Sequence, residues 1–289
     1  MLQILLNGFI SGLVIALLGL AFTVASLPTR VFHVALAGVY TAVPFVALSL
    51  WNSSWPHSLG VGVAILVGVG LSTLCESLNH WWLERKQAPD GLHLVSSLGI
   101  SIMLVQSVAM IWGNETHVLR QGIDQVVQFT GLRLTHSQII AGVVSGCMLT
   151  GFALWLHRSN LGLQFRALAD NPIQLALFGY NIRNLRLLAF ALSGLLAAVA
   201  ALLTANDIGF DAHGGLHALL LGVVAVIVGG RGTWFGPVVA GILLGLCRAF
   251  VVWEYSAKWQ EAATFGVLVL VLFLRPQGLL GRKMRLEAQ

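Results

Sequence analysis

Charge is what this sequence has least of. Only 9% of its 289 residues are charged, against roughly 25% in ordinary soluble domains. A water-soluble domain so poor in charge could not cover its own surface. Disorder is excluded as well, because it needs low hydrophobicity and high net charge. Cysteine is scarce: Cys75, Cys147 and Cys247 all fall in apolar runs. That position suits a small buried hydrophobe and argues against a disulfide framework or a zinc site. No G-x-x-x-x-G-K-[ST] phosphate loop occurs, so ATP hydrolysis would have to come from another chain.

Hydrophobic residues make up 57% of the chain, and the mean hydropathy is +0.85. Crossing the hydrocarbon core takes about 20 apolar residues per helix. The pattern predicts an all-α polytopic membrane protein, one domain over 1–289, with about nine (eight to ten) transmembrane helices. The spans fall near 4–24, 34–51, 59–78, 93–112, 137–156, 187–206, 217–230, 236–252 and 262–274. The first has no basic flank and runs directly into further spans, so it reads as a true transmembrane helix and not a cleaved signal. The seventh and ninth are short, which suggests tilted, broken or re-entrant segments.

The pI near 9.6 reads as lopsided basic loops and not as nucleic-acid binding. Alternate loops carry Arg30; Arg85 and Lys86; Arg158, Arg166, Arg183 and Arg186; Arg231; and Arg275, Arg282, Lys283 and Arg285. These are 12 of the 16 basic residues; the opposite loops hold only Arg120, Arg133 and Lys258. The positive-inside bias makes the first set cytoplasmic, the N-terminus external and the C-terminus cytoplasmic. Arg248 lies within a span, near enough to Trp253 to snorkel outward. The nine tryptophans fall at predicted span ends, where an indole is half wet. Gly8 with Gly12, Gly142 with Gly146 and Gly241 with Gly245 have helix-packing spacing, suited to contacts within the chain or to a dimer seam.

The largest cytoplasmic loop, about 157–186, contains Asp170-Asn171-Pro172 followed by Gly179. Asp170 or Asn171 can cap a helix that has Pro172 just inside its start, and Gly179 can end it after about two turns. A short amphipathic helix there serves either as an interfacial connector or as a dock for a soluble partner.

This loop resembles the coupling loop of permease subunits in the branched-chain amino acid class of bacterial ABC importers. Gly162, Arg166, Ala167, Ala169, Asn171, Ala176 and Gly179 match the family pattern, with Asp170 between them. Three further stretches are similar, in the right order: Leu94 to Ser101, closed by Trp112-Gly113; Gly229 to Pro237, then Gly241 and Gly245; and Arg275 to Gly281. The resemblance covers nearly the whole chain. It implies a bacterial inner-membrane permease paired with a homologous second permease, two cytoplasmic ATPases and an external solute-binding protein. It further implies that no cofactor is bound by this chain, ATP being used by the partners. The solute would be a branched-chain or other hydrophobic amino acid, an amide or a urea-like compound. One stretch departs: where the family often has Asn-x-Ala-His-Gly, Val31 to Tyr40 lacks the Asn and has its His displaced to His33. That implies a more apolar pathway.

Ser96, Ser97, Ser101 and Gln106 are mild hydrogen-bonding groups in an apolar helix, suited to a translocation pathway or to helix-to-helix bonds. Glu76 lies near the cytoplasmic end of its span, where an anchoring bond between elements and a substrate contact are both open. His213 and His217 are four apart but lack further ligands for a metal. A secondary transporter driven by an ion gradient is the rival class, kept open by the glycine-rich break at 229–236; an intramembrane enzyme lacks a catalytic pair.

Overall fold

The computed structural model describes residues 1–281 except 54, 121, 123, 130, 131 and 231, together with the backbone but not the side chain of Phe129. The basic residues Arg231, Arg282, Lys283 and Arg285 therefore lie outside the described residues. Helices dominate: α1 (Leu2–Thr29), α2 (Leu36–Asn52), α3 (His57–Leu74), a π-helical turn (Cys75–His80), α4 (Trp81–Arg85), α5 (Asp90–Trp112), α6 (His136–Arg158), α7 (Asn160–Asp170), α8 (Pro172–Leu177), α9 (Ile182–Asp207), α10 (Gly214–Gly229), α11 (Gly236–Glu254) and α12 (Gln260–Leu274). The segment from α3 through α4 is one rod, His57–Arg85.

Seven of these rods are long and apolar enough to cross a membrane; α2 and α10 are apolar but shorter, with 17 and 16 residues. Together they correspond to the nine predicted spans. Three boundaries differ appreciably, one of them the start of α9 at Ile182, five residues before the expected span. α1 extends to Thr29, past Pro28, and the third span extends to Arg85 because a π-helical turn carries it onward. A π turn inserts a residue without ending the helix, so no change in composition marks it. α10 is continuous. An antiparallel hairpin, β1 (Val126–Phe129) with β2 (Leu132–Thr135), was not expected. It is latched to the start of α1: Gln3 Nε2 donates to the Arg133 carbonyl at 2.7 Å, and Arg133 N–H donates to Gln3 Oε1 at 2.9 Å.

α1 and α9 are mostly enclosed, whereas α5 and α12 expose most of their apolar surface, as spans facing lipid or another subunit do. The paired glycines explain how α1 reaches the centre. A Cβ on Gly12 would come within 2.8 Å of Ile242 Cα, and one on Gly241 within 2.6 Å of Ala16 Cα. Gly8, Gly12, Gly241 and Gly245 thus pack α1 on α11 inside this chain. Gly142 meets only Ile10, at 3.5 Å, and Gly146 meets nothing.

Candidate functional site

The segment between α6 and α9 forms two short helices at one end of the bundle. Ser159 caps α7 by accepting from Gly162 N–H at 2.9 Å. A Cβ on Gly162 would lie 2.5 Å from the Leu156 carbonyl oxygen, so glycine lets α7 fold back against α6. Phe165 and Leu168 then bury completely. Phe165 packs on Trp155 and Trp234, and Phe152 joins the same aromatic cluster. Trp155 and Trp234, both half-buried, are therefore packing partners of α7.

Asn171 ends α7 and caps α8: its Oδ1 accepts from Ile173 N–H and Gln174 N–H, both at 3.1 Å, with Pro172 at the first turn. Arg166 to Gly179 therefore spans two helices that meet at Asn171, and the expected cap and Pro172 start belong to the second. The side chain that caps one helix holds extended backbone itself, which interrupts the other. Gly179 adopts φ 83°, the left-handed conformation that closes a helix and favours glycine. Leu168, Leu175 and Leu185 pin the pair to α9. Arg166, Ala167 and Ala169 are half-buried, while Asp170 and Ala176 are exposed. Between them the pair exposes Leu163, Ile173, Leu177 and Phe178, the last two about 80% exposed. The sequence reading stressed the alanines and missed this apolar surface, although its i, i+4 spacing in Ile173 and Leu177 was visible.

Just beyond α8, Arg186 in the first turns of α9 donates from Nε to Glu76 Oε1 at 2.6 Å, and its Nη1 forms an ion pair with Glu84 Oε2 at 3.3 Å. Glu76 sits in the π turn and is an anchoring group between elements. Around it lie the buried His33, His80 and His93, with His80 and His93 in contact at 3.3 Å.

Two serines of α5 are bonded to neighbouring elements. Ser96 Oγ donates to Asn79 Oδ1, and Ser97 Oγ accepts from Ala35 N–H at 2.8 Å. Ser101 is buried against α2 near Gly38, and Gln106 is exposed on the outer face of the chain. A cavity of about 400 Å³ lies elsewhere, between α1, α2, α6, α9, α10, α11 and the start of α12. Arg248 lines it, half-buried and bonded to Thr264 at 3.1 Å and Gln260 at 3.0 Å. His213 is exposed, and His217 approaches Glu261 at 3.7 Å.

Two of the glycine-rich stretches meet. Leu279 N–H donates to the Val228 carbonyl at 2.8 Å and Leu280 N–H to the Gly229 carbonyl at 2.9 Å. The segment 275–281 thereby closes on the end of α10, with Gly230 (φ 112°) and Gly278 (φ 81°) in contact. Residues 4–272 match the family described as branched-chain amino acid transport system / permease component. The chain belongs to that family. It is a transporter component and not an enzyme. Among its relatives is the high-affinity branched-chain amino acid transport system permease protein BraD of Pseudomonas aeruginosa. The two are 29% identical over 296 residues, covering 97% of this chain and 96% of BraD. LivH of Escherichia coli K12, of the same description, is 24% identical over 295 residues, covering 97% and 96%. A solved structure of PsaBC from Streptococcus pneumoniae in complex with Fab shares the fold at a TM-score of 0.51 and 13% identity, covering 96% of this chain and 92% of that one.

Proposed function

We propose that this permease is the membrane-spanning subunit of an ATP-driven importer, and that α7 and α8 are where a cytoplasmic ATPase docks. It works beside a homologous second permease, with two ATPase subunits and an external solute-binding protein that delivers a branched-chain or other hydrophobic amino acid, an amide or a urea-like compound. Its N-terminus is external and its C-terminus cytoplasmic. ATP is bound and hydrolysed by the partners.

The observation that carries this reading is the α7–α8 pair. It is rigidly held by Phe165, Leu168, Leu175 and the Asn171 cap, yet its outward side offers Leu163, Ile173, Leu177 and Phe178. An apolar surface this concentrated on a polar end of the protein marks an interaction site. Directly behind it, Arg186 joins α9 to the α3–α4 rod, so a push on α8 reaches two spans together. Exposed Gln106 on α5 and the open faces of α5 and α12 suit the second permease and the pathway between the two.

Copurification and transport test this. The detergent-solubilised permease should bring an ATPase subunit with it, and reconstituted vesicles should take up solute only when ATP and binding protein are supplied. Uptake driven by a proton or sodium gradient without ATP would make the chain a secondary transporter instead.

A further inference from the structure

The rod from α3 to α4, His57–Arg85, stands at an edge of the bundle. It packs on α2, α5 and α9, and its other side is open. Leu66, Leu74, Leu78 and Trp82 recur there at multiples of four residues, each 50–70% exposed. The same spacing holds Gly62 and Gly70, where a Cβ would meet nothing within 4 Å. An open apolar face on a membrane span is a surface for acyl chains.

The end of this rod is basic. Arg85 closes α4 and Lys86 caps it. Arg183, in the first turn of α9, holds its guanidinium 5.4 Å from the Trp81 ring centre. Trp81 and Arg85 are one helical turn apart, so their Cβ atoms lie about 5–6 Å from each other. Arg85 and Arg183 therefore flank one indole. Lys86 follows Trp82 at the same spacing. All three cations are exposed, and none has a carboxylate within ion-pair distance among the described residues. The neighbouring Glu84 gives its Oε2 to Arg186 at 3.3 Å. Arg85, Lys86, Arg183 and Arg186 outnumber Glu76, Glu84 and Asp90, so this end stays cationic.

A guanidinium stacked on a ring keeps its edge N–H donors free, and those donors match the oxygens of a phosphodiester. The indoles of Trp81 and Trp82 suit the headgroup layer.

We propose that the end of this rod binds an anionic phospholipid. Arg85, Arg183 and Lys86 receive its phosphodiester beside the two indoles, and an acyl chain lies along Leu78, Leu74 and Gly70. A free anion would satisfy the cations and leave the apolar face unused. A zwitterionic lipid would cover that face and bring its own ammonium up to three cations. Such a site needs the rod to cross the bilayer and does not depend on ATPase docking at α7 and α8.

The test is lipid retention by the solubilised permease, read by native mass spectrometry. The micelles hold equimolar phosphatidylglycerol and phosphatidylcholine with the same acyl chains. One phosphatidylglycerol should be retained in preference, by about tenfold or more, since each cation near the headgroups contributes about fivefold toward an anionic lipid. Arg85→Gln and Lys86→Gln should each lower that preference about fivefold. Both residues lie outside the seam with α9, so these variants should keep the wild-type thermal stability. Adding Arg183→Gln to the pair should abolish the preference, whereas Arg183→Lys alone should keep most of it. Arg30→Gln, which removes an exposed cation outside the cluster, should change nothing. Equal retention of the two lipids, a preference that survives the triple change, or an equal loss with Arg30→Gln overturns the site. Displacement of phosphatidylglycerol by millimolar inorganic phosphate overturns it too, by making it an ion site without a lipid. Loss of the ATP requirement for uptake would overturn the importer reading and leave the lipid site standing.

Discussion

Arg186 and Glu76 are 110 residues apart in the chain, yet Nε of one lies 2.6 Å from Oε1 of the other, both nearly enclosed. Their bond joins the first turns of α9, immediately after the α7–α8 pair, to the π turn at the end of the third span. Two neighbouring contacts follow the same seam. Ser72 Oγ donates to the Phe190 carbonyl at 2.7 Å, and the Arg183 guanidinium sits 5.4 Å from the Trp81 ring centre. α9 and the α3–α4 rod are therefore fastened by charge, hydrogen bond and cation–π contact at the end where α7 and α8 attach.

Removing one partner of a buried ion pair strands the other charge, at a cost of about 3–5 kcal/mol. Arg186→Ala should accordingly lower the thermal stability of the solubilised permease by that order. Arg186→Leu combined with Glu76→Leu should lose much less than the two single changes summed, because an apolar pair of similar size needs no compensation. Additive losses in a double-mutant cycle would show that the contact is energetically idle.

The nine apolar helices were legible because hydropathy and length suffice to specify a span. The Asn171-Pro172 cap was legible too, since capping is local chemistry. What escaped were relationships made across the chain. Nothing in the composition near Glu76 names Arg186, and a π turn carries no signature residues. The cavity draws on α1, α2, α6, α9, α10, α11 and α12, so no window of sequence contains it; its local signs were Pro44 and Arg248 inside spans. The pairing of Gly8 and Gly12 with Gly241 and Gly245 is the same kind of case: spacing announced close packing without saying against what.

α8 is only six residues long and depends on its ends. Asn171→Ala removes the acceptor for two backbone N–H groups, and such losses cost about 0.5–2 kcal/mol. Gly179→Val forces a β-branched residue into φ 83°, which is strained for any side chain of that shape. Both changes should raise hydrogen exchange in peptides covering 172–180 and leave α9 protected. Unchanged exchange would mean that packing on Leu175 alone maintains α8.

Orientation can be read chemically. Cysteines at Glu115 and Lys258, at the end that carries the β1–β2 hairpin, should react with an impermeant thiol reagent added outside intact cells. Cysteines at Lys86 and Asn160 should react only once the membrane is opened. The expectation comes from the basic residues Arg85, Lys86, Arg158, Arg166, Arg183 and Arg186 gathered at the α7–α8 end. Labelling in the opposite sense at two of the four sites would invert the topology and move α7 and α8 to the wrong side for a cytoplasmic ATPase.

Bulk on α7 and α8 separates docking from mere connection. Ala176 is exposed and Ala169 half-buried, so Ala176→Trp adds volume directly to the outward surface, while Ala169→Trp adds it nearer the seam with α6 and α9. Neither lies within a membrane span, and the anchors Phe165, Leu168 and Leu175 remain in place, so the permease should still insert and retain its thermal stability. A docking groove that fits small side chains would no longer close on α8. Solute-stimulated ATP hydrolysis and uptake should then fall together, by about tenfold or more if even 1.4 kcal/mol of docking energy is lost. Solute binding to the external protein should be unaffected. Leu177→Ser and Phe178→Ser should weaken copurification of the ATPase without adding bulk, which distinguishes lost apolar contact from steric obstruction. Normal transport by both tryptophan variants and both serine variants would leave α7 and α8 as a connector between α6 and α9.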